Sequence, residues 1–466
     1  MNIPEFVGID TELPLANGKT HRRVHLDAAA SPLGLKSSQD CIAELLPFYA
    51  NTHSKAHLSA RITTEAYTWA QGSILESLGF EKTLYDLAFA GSGSTAAFNR
   101  IARGLTKLRP ERPVTFISGM EHHSNDLPHR LNSQKTVFIP VIEPPNENNG
   151  ALDLDQLESL LEEHKERVNY IAINSLSNVT GIKTPVDEIC RLVHKYDVYV
   201  LVDAAQSTSC LGPEISVNED ETPDFWVFSG HKVYTPSSPG VLIAKKTILS
   251  ALPLFDIGGG SVKQVSTESF ELLDSPYKEQ AGTPNIVGVI ALANTLKVLS
   301  DMGFKSIAQH SQEIAEYAMK RLATVPEISV YGDLALPRAA AISFNIADID
   351  HGLVAAILSD YYAIAVRNAC FCAHPYVRSL LKSELWDLDL DDIPKDQLEN
   401  YINRKRGMVR ASFALYTTQE DIDYLVKSLE CIMINIKDLN DNYKVNSDGD
   451  YIHKSFTPSW REFFNP

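Results

Sequence analysis

The sequence predicts an α/β protein: a mostly parallel central sheet flanked by helices, with a smaller α+β domain towards the C-terminus. Three observations carry this. Short β-rich runs alternate with helix-period segments through the middle of the chain. The runs are apolar throughout, so both faces of the sheet are to be covered. The polar residues that could do chemistry fall just past the carboxyl ends of these runs, where open α/β sheets bind ligands.

The elements follow in order. "TVFIPVI" (136–142) reads as a strand and "LDLDQLESLLEEH" (152–164) as a helix, with Asp153 as N-cap and Gln156 in the capping-box position. "VNYIAINSL" (168–176) is the next strand. In "TPVDEICRLVHKY" (184–196), Thr184 can cap, Pro185 suits the first helical position, and Val186, Ile189, Cys190 and Val193 share one face. "DVYVLVDAA" (197–205) is a continuous apolar strand ending in an acid, and "DFWVFSG" and "GVLIAKK" supply two more.

From about residue 290 the pattern changes to a helix-rich region opening with "NIVGVIALANTLKVLSDMG". The expected division is a large domain over 35–290, a small domain from 1–34 and 291–440, and a C-terminal tail over 441–466. A chain of 466 residues, 44% hydrophobic and 22% charged, is long enough for one large core and a smaller one. Its net charge of -17 argues against nucleic acid and against an anionic membrane surface. Six cysteines are too sparse for a disulfide framework. The opening "MNIPEFVGIDTELPL" lacks the features of a leader, so a cytoplasmic location is expected.

Three stretches then carry chemistry. "AGSGSTAAFNRIARGL" (90–105) places Gly91, Gly93, Ser94 and Thr95 at a helix start, where free N–H groups suit a phosphate. No Lys-Ser or Lys-Thr follows, so this is not a P-loop. Asp203 ends an apolar strand, where an unpaired acid would be costly to bury; capping the next segment is the structural alternative. Lys232, in "FWVFSGHKVYTPSSPG" (225–240), follows another such strand, where an ordinary loop lysine is the alternative. Together they supply a phosphate cradle, a partner for a ring nitrogen and a Schiff-base lysine, the set that pyridoxal 5'-phosphate requires.

On these residues the chain resembles the class-V aminotransferases of fold type I, and within them the cysteine desulfurase-like and selenocysteine lyase-like enzymes. The resemblance runs from "HLDAAAS" (25–31) to "VRASFALYTT" (409–418). It implies that Ser94 and Thr95 hold the phosphate, with Ser229 and His231 near it. It further implies that His123 of "EHHSN" stacks on the ring and that Asn178 of "SNVTG" contacts the cofactor. Asp203 is to pair with the ring nitrogen, Gln206 with the ring hydroxyl, and Lys232 is to carry the cofactor. Thr283 of "AGTPN" is expected to complete the phosphate site across a homodimer. Arg410 of "VRASFALY" is to clamp the substrate carboxylate, with Arg367 and His53 also placed at the substrate. Without the family, each has an ordinary reading as a loop, turn or surface residue.

"AVRNACFCAHPYV" (365–377) aligns Cys372 with the sulfur-accepting cysteine of desulfurases, while its Cys370-Phe371-Cys372 resembles the segment of molybdenum-cofactor sulfurases. "NTHSKAH" (51–57) keeps His53 and His57 but lacks the arginine that follows the first histidine in related enzymes, and Ala28 stands where the family has Asn. No metal is expected, since no second cysteine pair at ligand spacing is present. The implied activity is sulfur transfer from a cysteine-like amino acid, giving alanine and a Cys372 persulfide, with a sulfur-acceptor protein as a possible partner. A C–S β-lyase releasing pyruvate, and a transaminase or epimerase in which both cysteines are bystanders, remain as alternatives.

Overall fold

The computed structural model describes residues 2–52, 54–254, 256–382 and 407–464. Its centre is a seven-stranded sheet: β1 (Tyr85–Ala90), β2 (Val114–Ser118), β3 (Lys135–Ile139), β4 (Val168–Asn174), β5 (Tyr199–Asp203), β6 (Phe225–Ser229) and β7 (Gly240–Lys245). The spatial order is β1-β7-β6-β5-β4-β2-β3. All neighbours pair in parallel except β7, which is antiparallel to both β1 and β6.

The apolar runs are buried on both faces, as their composition requires. In β4, Tyr170 and Ala172 join Phe98, Ile101 and Leu105 of helix α2 (Gly93–Leu108) on one side. Ile171 and Ile173 alternate to the other side, with Val200, Val202 and Phe228, and pack under Ile189 and Val193 of helix α4 (Val186–His194). Between these elements, helix α3 (Leu154–His164) starts at Asp153, whose side chain accepts from the N–H of Gln156 at 3.0 Å. At α4 the N-cap is Pro185 without a side-chain cap bond, so Thr184 does not cap.

The predicted start of the small domain, residue 291, falls inside helix α5 (Ile286–Met302). Ile286, Val289, Leu292, Leu296 and Leu299 all pack in the large-domain core, so the helix belongs there. The second core is built by helices α6 (Phe304–Leu322), α7 (His351–Tyr362) and α8 (Gln419–Ile434). These pack with strands β8 (Ile328–Val330), β9 (Ala341–Ile346), β10 (Arg367–Ala369) and β11 (Met408–Ser412), in the order β8-β9-β11-β10. Val24 and Leu26 join this core, while Phe6, Leu33 and Leu35 pack with the large domain, so the N-terminal segment is shared. The tail is a strap: Tyr443–Val445 pairs with Tyr451–His453, Tyr443 donates to Asp360 at 2.9 Å, and Tyr361 meets His453 at 3.0 Å, fastening it to α7.

One backbone crossing fixes the sheet edge to the site. Gly93 has φ +64°, and a Cβ on Gly240 would overlap the Gly93 carbonyl. A side chain at residue 240 must therefore push β7 away from the start of α2. Gly240→Ala is expected to cost about 1–3 kcal/mol of stability, read from the urea unfolding midpoint; an unchanged midpoint would show the crossing to be slack.

Candidate active site

The carboxyl ends of β4, β5 and β6 open into a cavity of ≈ 390 Å³ between the two domains' residues. At one end lies the start of α2. Its first residues carry no side-chain cap bond, so helix-end N–H groups there are available to an anion. Ser94 is held by Ser229: the Ser94 N–H donates to Ser229 Oγ at 2.8 Å, and the two hydroxyls are 3.0 Å apart. Thr95 Oγ1 lies 2.7 Å from Ser124 Oγ, bringing a further hydroxyl to the same end.

The central charges sit deeper. Asp203 ends β5, and its Oδ1 accepts the Ala205 N–H at 2.9 Å. Burial raises its carboxyl to about 6, against that hydrogen bond and the Lys232 charge. Lys232 follows β6 in a single 3-10 turn, Gly230–Lys232. Burial lowers its ammonium below the usual lysine range, with Asp203 pulling the other way and Arg410 adding to the depression. A lysine so placed gives up its proton more readily than a solvated one.

Behind Asp203 is a carboxyl that the motifs did not single out. Glu121 is buried, its Oε1 accepts from the N–H (2.7 Å) and Nδ2 (2.9 Å) of Asn174, and its Oε2 accepts from Asn125 Nδ2 at 2.6 Å. Asn174 is paired with Asp203 across β4 and β5. Burial, then the Asp203 charge, raise Glu121 to about 8. The sequence signal for it was an acid directly before two histidines.

His122, not His123, lines the cavity. The chain turns through a short 3-10 segment at His123–Asn125, and the His122 ring caps it, with Nδ1 accepting the Ser124 N–H at 3.1 Å. Its ring proton therefore sits on Nε2, and burial, then Lys232, depress it to about 3, so the imidazole is neutral. His123 turns away and packs against His374, with ring centroids 4.7 Å apart. Its N–H donates to the Cys372 carbonyl at 2.7 Å.

That bond helps hold an unusual loop. Ala369, Phe371 and Cys372 have φ of 86°, 53° and 54°, each costing on the order of 1–2 kcal/mol for a non-glycine residue. Asn178 Nδ2 donates to the Phe371 carbonyl at 2.8 Å, and the Ala373 N–H to Cys370 at 2.9 Å. The result buries Phe371 and leaves Cys372 exposed at the cavity wall, while Cys370 packs against the core. The Arg410 guanidinium lies 4.8 Å over the Phe371 ring, and its NH1 donates to the Asn178 carbonyl at 2.8 Å. Burial pulls Arg410 down to about 10, although Asp27 beside it acts in the opposite sense.

Most predicted site residues thus meet in one place. Ser94, Thr95 and Ser229 lie at the α2 end of the cavity; His231, Asn178, Asp203, Gln206 and Lys232 line it with them, as do Arg367, Cys372 and Arg410. Gln206 is turned to the Ala29 carbonyl, to which its Nε2 donates at 2.9 Å. His123, expected to stack on the ring, does not line the cavity, whereas His122 does. Thr283 is exposed and outside the cavity lining, accepting from Asn51 Nδ2 at 3.3 Å. His53 lies outside the described residues.

Comparison with known proteins agrees with this geometry. The family model "Aminotransferase class-V" matches residues 24–425. The chain belongs to the class-V aminotransferase family. A probable cysteine desulfurase of Halalkalibacterium halodurans is 32% identical over 420 residues, covering 87% of this chain and 92% of that one. A cysteine desulfurase of Pectobacterium carotovorum is 31% identical, covering 88% and 92%. Among solved structures, the apo cysteine desulfurase of Thermococcus onnurineus superposes with TM-score 0.76 at 26% identity, covering 93% and 99%. The Escherichia coli cysteine desulfurase in its S-sulfonic acid form gives 0.72 at 26%, covering 88% and 95%.

Class-V aminotransferase proteins use pyridoxal phosphate, and the residues present fit it. The hydroxyls of Ser94, Thr95 and Ser229 at a helix start suit its phosphate, buried Asp203 suits a protonated ring nitrogen, and Lys232 suits its aldehyde.

Glu121 gives this site a pH signature. Its carboxyl is raised in the folded chain to about 8 from the ordinary 4.5. Between those values the folded protein holds a proton that the unfolded chain has lost, so this contribution to stability fades as pH rises. Glu121→Gln is expected to flatten the fall in unfolding free energy of the cofactor-free protein across that window, by up to one proton's slope. Parallel wild-type and variant curves would contradict it.

Proposed function

We propose that this protein is a cysteine desulfurase: it takes the sulfur of a cysteine-like amino acid as a persulfide on Cys372 and releases alanine. The observation that carries this reading is the shared cavity wall, on which an exposed cysteine stands with a half-buried lysine and a buried arginine. The named relatives support it, since the proteins similar over most of this chain are cysteine desulfurases.

Bound at Asp203 and Lys232, pyridoxal phosphate supplies an electron sink conjugated to the substrate α-carbon. Asp203 keeps the ring-nitrogen end negative, and Glu121 and Asn174 hold that corner in place. Arg410 binds the substrate carboxylate through the part of its guanidinium that faces the cavity. Lys232, with its depressed proton affinity, takes the α-proton and later returns one. His122, which lines the cavity, would face the bound ring, and its neutral imidazole would offer Nε2–H as a hydrogen-bond donor. The Cys372 thiolate attacks the substrate sulfur, the carbon–sulfur bond breaks, and the sulfur stays on Cys372. Because Cys372 is exposed, the persulfide can be handed to an external thiol acceptor, protein or small molecule.

A homodimer is part of the proposal. Leu46, Phe48, Leu58 and Trp69 are exposed near the Asn51–Thr283 and Tyr67–Gln280 hydrogen bonds, an apolar surface that suits a second copy. Thr283 on that face would then approach the partner's phosphate end. Sedimentation at micromolar concentration is expected to give a dimer; a monomer that binds the cofactor fully would contradict this part.

Two substitutions test the chemistry. Cys372→Ala is expected to keep the cofactor's visible absorption yet lose alanine formation from L-cysteine by at least about a hundredfold. Full retention of turnover, or pyruvate as product, would instead support a lyase. Lys232→Ala is expected to lose the wild-type absorption band; an unchanged band would overturn the assignment of Lys232.

A further inference from the structure

Asp27 has no part in the reaction described above, yet it holds both arginines of the cavity wall. Arg367 NH2 donates to Asp27 Oδ2 at 2.8 Å, and Arg410 NH2 to Asp27 Oδ1 at 3.2 Å. The three side chains differ in exposure: Arg410 is 4% exposed, Asp27 16% and Arg367 51%. Asp27 is itself held from behind, its N–H donating to His25 Nδ1 at 3.3 Å and its backbone bridging to Ser412 beside Arg410. The carboxylate therefore bridges a buried guanidinium and one at the mouth, from a fixed backbone.

We propose that Asp27 is a specificity-determining residue that limits the site to substrates with a single carboxylate. The inference rests on the reading of Arg410 as the substrate-carboxylate clamp. Two guanidinium groups and one carboxylate leave a net charge of one, which one incoming carboxylate neutralises. Arg410 has an unused donor for it: NH1 is committed to the Asn178 carbonyl, but Nε is buried without a partner among the described residues. A substrate carboxylate that takes Nε and NH2 needs only the longer of the two Asp27 contacts to be released. Asp27 then remains on Arg367 through the shorter one. A second carboxylate on the substrate finds the remaining arginine already occupied and meets the Asp27 charge, a like-charge contact in a partly desolvated place. In the empty site the same bridge keeps buried Arg410 from standing unpaired.

The test uses the cofactor-loaded, full-length protein and two amino acids without sulfur, L-alanine with one carboxylate and L-aspartate with two. Binding is read from the change each causes in the cofactor's absorption. The wild type is expected to favour L-alanine by about tenfold or more. Asp27→Asn is expected to narrow that ratio about tenfold, through tighter L-aspartate binding, and adding Arg367→Ala to it should remove the gain. If Asp27→Asn does not fold, succinate and propionate as competitors of L-alanine in the wild type serve instead, with propionate the stronger expected. An unchanged ratio in Asp27→Asn, or succinate competing as well as propionate, would overturn the role of Asp27. Arg410→Lys separates this from the underlying reading. If it weakens both amino acids while Asp27→Asn leaves the ratio unchanged, only the Asp27 inference fails; if it weakens neither, the clamp itself is wrong.

Discussion

A negative charge buried at the end of a central parallel strand is the constraint on which the rest of this structure depends. The Asp203 carboxylate accepts the Ala205 N–H, and it faces a lysine that is itself desolvated. Neither charge is comfortable in such a place without the other or without a ligand. The sheet makes the arrangement affordable by burying β4, β5 and β6 on both faces, so the strand ends are held rigidly enough to aim their next residues at one point. Glu121 and Asn174 extend the same polar floor one layer down, the Glu121 carboxyl accepting from Asn174 and Asn125 at 2.6 to 2.9 Å.

The small domain completes the site by supplying the opposite wall. Strands β10 and β11 sit side by side, with Arg367 directly across from Arg410. The loop after β10 is held in left-handed geometry by bonds from His123 and Asn178 of the large domain. The cysteine therefore takes its place from contacts that cross between the two cores. Backbone strain of this kind persists only where its surroundings enforce it.

Much of the site was legible because it is written in local stretches. A glycine-rich helix start, an acid ending an apolar strand and a lysine just past another each have an ordinary reading alone, and it is the sheet rule gathering them at one edge that makes them legible. What was not legible depends on single-residue geometry or on distance along the chain. Whether His122 or His123 faces the cavity is decided by a 3-10 turn that neither propensity nor spacing announces. Helix α5 is apolar almost all round, so its sequence did not say which core it joins; packing placed it with the large domain. Asp27 lies far along the chain from both arginines it bridges, and nothing near it in sequence points to either. The expected cap at Thr184 failed for a simpler reason, since the proline after it begins the helix without a capping bond.

The claim at the centre of this account is that Cys372 receives the substrate's sulfur. The most direct test is a single turnover of the cofactor-loaded protein with L-cysteine, without added reductant, followed by mass spectrometry of the peptide carrying residues 365–377. The account predicts one extra sulfur on Cys372 and an equal amount of alanine. Pyruvate with an unmodified Cys372, or the extra sulfur on Cys370 alone, would contradict it.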